Sequence, residues 1–100
     1  MSAKGIPYAD ELITVTSAAV VAPTVAVMFA GGRSPGMAEL SVEGGDLRYR
    51  VTGGDPDNSP IVGHRMAADQ APRRLSPAAI GRLKMIAVTT DSSVFITYYT

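Results

Sequence analysis

A short alternating strand that runs directly into a turn-rich loop constrains this chain more than any other feature. Within residues 46–60, Leu47, Tyr49 and Val51 fall on one side of a period-two strand, with Arg48 and Arg50 on the other, before Gly, Asp, Asn, Ser and Pro take over. Successive side chains of a strand point to opposite faces, so this is the signature of a sheet with one wet face. The pattern predicts β-architecture with both arginines displayed.

The remaining segments carry the same punctuation. Residues 11–16 alternate, with Leu12, Thr14 and Thr16 opposed to Ile13 and Val15, and read as a first strand. Residues 20–29 are rich in β-branched types and predict one or two buried strands, with Pro23 marking an edge or a break. In residues 37–43, Ala38, Leu40 and Val42 alternate with Glu39, Ser41 and Glu43. The Gly44-Gly45-Asp46 turn then predicts a hairpin with the arginine strand, whose polar faces would pair Glu39 and Glu43 with Arg48 and Arg50. Ser76-Pro77 can cap and open a single helical turn near residues 77–82, which Gly81 limits. Residues 83–88 and 94–99 predict a second hairpin. The fold class expected is all-β, an antiparallel β-sandwich or small barrel of about seven strands with one short helical turn. Residues 1–9, with Gly5 and Pro7 and no periodicity, read as an extended N-terminal arm, and residues 10–100 as one β-sandwich domain.

Charge and composition narrow the function. Nine basic and nine acidic side chains cancel, so no global field draws the chain to nucleic acid or an anionic membrane. Arg65, Arg73, Arg74, Arg82 and Lys84 cluster in sequence, but no aromatic residue lies among them for stacking on bases, and a solvated surface is the expected reading. The most apolar run, residues 18–30, is interrupted by Pro23 and Thr24 and falls short of the roughly 20 residues that span a bilayer. Asp10 and Glu11 before it do not suit a signal peptide, so a soluble, unprocessed protein without a membrane partner is expected. Cysteine is absent and stability must come from burial.

Chemistry has few candidates. His64 is the only histidine and has no nucleophile elbow to serve, so it reads as a strand residue and no catalytic residue is assigned. Asp55, Asp57 and Asn58 are closely spaced oxygen ligands, yet the later bidentate glutamate of a calcium loop is missing, and turn-type hydrogen bonds are the expected use. Neither metal nor cofactor is expected.

Four pieces in order, residues 43–56, then Val62-Gly63-His64, then Ala79-Ile80 leading to Ile86-Ala87, then residues 94–99 closing in Tyr98-Tyr99, resemble small virion-associated proteins of tailed bacteriophages. The resemblance covers about the last sixty residues; the inserted Asp57 to Pro60 departs from the more compact loop of the pattern. It implies a non-enzymatic structural role in the particle, foremost as a capsid decoration or cement protein, with a neck or tail component as the close rival. The implied partners are the major capsid protein or other virion subunits, with homo-oligomerisation, and the implied location is the virion, assembled in the bacterial cytoplasm. A glycan-binding or host-adhesion module, using exposed tyrosines and the polar loop at residues 55–59, is the alternative of another class.

The residues expected at a partner interface are Arg48, Arg50 and Tyr49 on the arginine strand, Phe95, Tyr98 and Tyr99 on the last strand, and Ile6 and Tyr8 on the arm. The last strand is apolar on both faces, Phe95, Thr97 and Tyr99 on one and Val94, Ile96 and Tyr98 on the other. Such a strand places core on one side and a partner on the other, or lies between two layers.

Overall fold

The computed structural model describes residues 5–100. Its elements follow in the order β1 (Pro7–Val15), α1 (Val25–Met28), β2 (Met37–Glu43), β3 (Leu47–Arg50), β4 (Asp57–Asn58), β5 (Ile61–Val62), β6 (His64–Met66), β7 (Arg73–Leu75), α2 (Pro77–Ile80), β8 (Lys84–Ala87) and β9 (Ser92–Tyr99). All strand pairs are antiparallel, in a four-stranded sheet ordered β1-β9-β2-β7, a three-stranded sheet ordered β6-β3-β8, and the short β4-β5 ladder. Neither larger sheet closes on itself, so the barrel alternative is not realised among the described residues.

Alternation decides which side chains enter the core. Ala38, Leu40 and Val42 of β2, with Val94, Ile96 and Tyr98 of β9, supply the inner face of the larger sheet, and Leu47, Tyr49, Met66, Met85 and Ala87 supply that of the smaller one. These join one buried cluster completed by Val15, Met28, Ile80 and Leu83. Burying a side chain of the Leu or Ile class is worth about 1.5–3 kcal/mol, so this shared cluster is what holds the sheets together.

Both predicted hairpins are absent. Strands β2 and β3, adjacent in sequence across Gly44-Gly45-Asp46, lie in different sheets, as do β8 and β9. Their connections are crossovers that pack side by side. The Ser92 hydroxyl donates to the carbonyls of Gly45 and Asp46 at 2.7 and 3.1 Å, and Val88 N–H donates to the Asp46 carbonyl at 3.0 Å. Any Cβ at residue 45 would lie 2.3 Å from the Thr90 carbonyl oxygen, so the Gly-Gly pair serves a close crossing of two backbones rather than a tight hairpin. Local turn chemistry is the same for both uses, which is why the hairpin expectation fails here.

Residues 20–29 also depart from expectation. Only Val21 makes β contact, as an isolated bridge to Met85, and residues 25–28 form the one-turn α1. The Thr24 carbonyl accepts from Val27 and Met28, which drops Met28 into the core. Pro23 ends extended pairing, and burial of Met28 with Val25 left exposed shows packing overriding the β-propensity of Val25 and Val27. The expected turn near residue 77 is present as α2, with the Ser76 hydroxyl accepting from Ala79 N–H at 3.2 Å and Pro77 in the first turn. Of the predicted arm, residues 1–4 lie outside the described residues, whereas Pro7, Tyr8 and Ala9 belong to β1. Pro7 faces Tyr99 and Ala9 faces Tyr98 across a bulge at Tyr8. The long partner β9 allows this extension despite the absence of alternation in sequence.

Candidate interaction surface

Arg48 and Arg50 leave the inner core as alternation requires, and both bond within their own chain. Residues 51–63 fold back over the outer face of the three-stranded sheet, and the arginines hold them there. Arg48 is only 6% exposed; its Nε donates to Asn58 Oδ1 at 2.9 Å and its Nη1 to the Gly63 carbonyl at 3.4 Å. Asn58 Nδ2 in turn donates to the Ala87 carbonyl at 2.8 Å, tying the loop to β8. Arg50 Nη1 donates to the Asp55 carbonyl at 3.3 Å, and Lys84 pairs with the Asp55 carboxylate at 3.1 Å. Ile86 and Pro56 are buried in this region. The displayed Arg48 of the sequence reading is therefore corrected to a buried clamp on its own loop, while Arg50 stays half-exposed beside it. Their expected pairing with Glu39 and Glu43 is lost because β2 lies in the other sheet, where Glu39 faces Arg74 at 3.5 Å.

Tyr49 and Tyr98 are likewise corrected. Tyr49 is buried, with its hydroxyl accepting from Arg73 Nη1 at 2.9 Å, the Arg73 guanidinium 6.0 Å from its ring centre, and the exposed His64 ring 5.6 Å away. Tyr98 is fully buried and its hydroxyl donates to Glu11 Oε2 at 2.6 Å, while the same carboxylate accepts from Thr24 N–H at 3.2 Å. Burial, and then the Glu11 carboxylate, push the Tyr98 phenol well above its ordinary value. Tyr8 is partly buried against Tyr98 and donates to the Met28 carbonyl; burial raises its phenol as well.

The polar loop and the basic run resolve into internal bonds. Asp57 Oδ1 accepts from Ser59 N–H, an Asx-type turn, so the turn use predicted for this loop falls to Asp57, while Asn58 bridges Arg48 and Ala87. Among the described residues, no three His, Asp or Glu side chains converge as metal ligands. Arg65 contacts Asp46 through two nitrogens at 3.0 and 2.6 Å. The Ala68 N–H, first, and Arg65 hold the Asp46 carboxyl below its usual range. No helix of the described residues is long and apolar enough to cross a membrane.

What remains on the surface is the outer face of the four-stranded sheet. The β1-β9-β2 register sets Leu12 opposite Phe95 and Phe95 opposite Ser41; Asp10, Thr97 and Glu39 form one flanking row, and Thr14, Ser93 and Glu43 the other. Tyr99 stands on the same face, half-buried. Leu12, Ser41, Glu43, Ser93 and Phe95 line an open depression of about 280 Å³, smaller than the range typical of small-molecule sites. Of the predicted interface residues, Phe95 and Tyr99 share this face, Ile6 is exposed just before β1, and the others point inward or hold the loop. Sequence reasoning missed Leu12. Its alternation with Ile13 and Val15 was visible, but nothing local says which of two apolar faces is the outer one.

Comparison with protein-family models, with curated proteins and with solved structures finds no match to this chain.

Proposed function

We propose that this chain is a β-sandwich structural protein of a bacteriophage particle, a capsid decoration or cement protein that acts by surface contact and not by catalysis. The observation that supports this reading is the exposed apolar pair Leu12 and Phe95 on the outer face of the adjacent strands β1 and β9, flanked by Asp10, Glu39 and Glu43. Such a face suits a neighbouring subunit that offers an apolar centre flanked by lysine or arginine. The identity of the particle rests on the resemblance of residues 43–99 to small virion-associated proteins. The glycan-binding alternative keeps Tyr99 and an exposed loop edge, but Tyr98 is buried and part of the loop at residues 55–59 is engaged with Arg48, Arg50 and Lys84, so the surface-contact reading has more support.

The test is the copy number of this chain in purified particles, measured by quantitative mass spectrometry against the major shell protein. A ratio near that of the shell protein is expected for decoration. A ring's worth would move the role to neck or tail, and absence from particles would overturn the virion reading. Phe95→Asp is expected to lower incorporation with little change in melting temperature, since Phe95 is 43% exposed.

A further inference from the structure

Sheet edges carry unpaired backbone donors and acceptors, and folded proteins ordinarily shorten, charge or cover them. Three of the four edges of the larger sheets follow that rule. Strands β6 and β7 have three residues each. The free side of β8 is occupied by preceding chain, with Ala87 N–H donating to the Thr16 carbonyl and Met85 exchanging two hydrogen bonds with Val21. Strand β1 is different: it runs for nine residues and, among the described residues, pairs only with β9.

The apolar surface gathers on this edge. Six large hydrophobic side chains are exposed among the described residues, and five lie on or beside β1. Leu12 (66% exposed) is on the strand, Ile6 (48%) precedes it, and Phe95 lies opposite Leu12 on β9. Val25 (67%) and Phe29 (47%) belong to the segment anchored to β1 through the Thr24 to Glu11 and Tyr8 to Met28 hydrogen bonds.

We propose that β1 pairs antiparallel with β1 of a second copy about a two-fold axis at Leu12, joining two four-stranded sheets into one of eight. A two-fold interface must be self-complementary; the charges exclude axes at Asp10 and Glu11, and the 66% exposure of Leu12 against half-buried Ile13 favours Leu12 over its neighbour. Directly opposed residues of an antiparallel pair share a face, so the axis passes through a residue facing its own copy. An axis at Asp10 or at Glu11 would oppose two carboxylates, which is destabilising. At Leu12, Asp10 faces Thr14 of the second copy, Glu11 faces Ile13, and the most exposed leucine stacks on its own counterpart. Glu11 stays engaged with Tyr98 and Thr24 on the inner side. The pairing leaves Phe95 and Tyr99 on a widened outer face for a different neighbour.

Because the chain has no cysteine, register can be read by crosslinking. With the axis at Leu12, the Cα atoms of two Leu12→Cys residues oppose each other at about 4.5–5.5 Å, within the roughly 4.4–6.8 Å span of a disulfide. Two Asp10→Cys side chains are offset by four residues, roughly 13 Å along the strand, beyond bridging distance. The purified full chain is expected to sediment at twice its 10.4 kDa mass as concentration rises, Leu12→Cys to link under mild oxidation, and Asp10→Cys not to link. Leu12→Lys, which places two ammonium groups at the axis, is expected to remain at 10.4 kDa with an unchanged far-ultraviolet circular dichroism spectrum. A wild-type mass of one chain at millimolar concentration, equal linking of both cysteine variants, or an undiminished Leu12→Lys dimer would each overturn the proposal. The inference stands on the β1 edge and not on the virion reading, so copy number in particles and self-association fail independently.

Discussion

Replacing Asn58 by alanine tests the idea that Arg48 is a loop clamp. The side chain of Asn58 makes two hydrogen bonds, accepting from Arg48 Nε at 2.9 Å and donating to the Ala87 carbonyl at 2.8 Å. No carboxylate pairs with Arg48 among the described residues, so its buried charge relies on neutral oxygens. A hydrogen bond to a charged group is worth about 1.5–3 kcal/mol and a neutral one about 0.5–1.5, so Asn58→Ala is expected to destabilise by roughly 2–4 kcal/mol. For a chain of this size, 3 kcal/mol corresponds to roughly 12 °C or more in melting temperature. In urea the midpoint should fall with the slope unchanged, which marks a loss of stability without a change in exposed surface. Arg48→Met supplies the control, since an apolar side chain of similar length removes the buried charge and with it the need for the Asn58 oxygen. In that background Asn58→Ala should cost only about 1 kcal/mol, for the remaining bond to Ala87. A loss below 1 kcal/mol for the single variant, or equal losses in both backgrounds, would refute the clamp.

Two further outcomes follow from the core and the crossover. Gly45→Ala should destabilise by about 2 kcal/mol or more in the same denaturation assay, because its Cβ would stand 2.3 Å from the Thr90 carbonyl oxygen and neither backbone can yield cheaply; a loss under 0.5 kcal/mol would show that the crossing relaxes. The raised phenol of Tyr98 fixes the sign of an alkaline effect: the folded state holds its proton more tightly than the unfolded one, so the contribution is complete below the ordinary tyrosine value of 10.0 and declines as pH rises above it. Wild type should therefore lose stability above that pH more steeply than Tyr98→Phe, as read from melting temperatures across the alkaline range, and parallel curves would count against a buried Tyr98 hydroxyl held beside Glu11.

Much of the fold is legible in one dimension because strand periodicity is a local property. Alternation in Met37–Glu43 and Ser92–Tyr99 places Leu40, Val42, Val94 and Ile96 on inner faces, and Ser76-Pro77 suffices to start α2. The same alternation correctly separates Leu47 and Tyr49 from Arg48 and Arg50. It says nothing about what lies above the arginine face. There, residues 51–63 return over β3 and β8, and a side chain read as exposed becomes buried.

Which strand neighbours which was decided only in three dimensions. Gly44-Gly45 is compatible with a hairpin and with a crossover, and the choice turns on contacts distant in sequence: Ser92 with Gly45, and β9 inserted between β1 and β2. The candidate surface divides the same way. That β9 has two apolar faces is a property of its composition, whereas the selection of Phe95 over Tyr98 as the outward residue came from tertiary packing. The Tyr98 ring enters the shared core while its hydroxyl meets Glu11, eighty-seven residues earlier in the chain, so one aromatic face could be buried without stranding a polar group, and Phe95 was left with Leu12 on the outside.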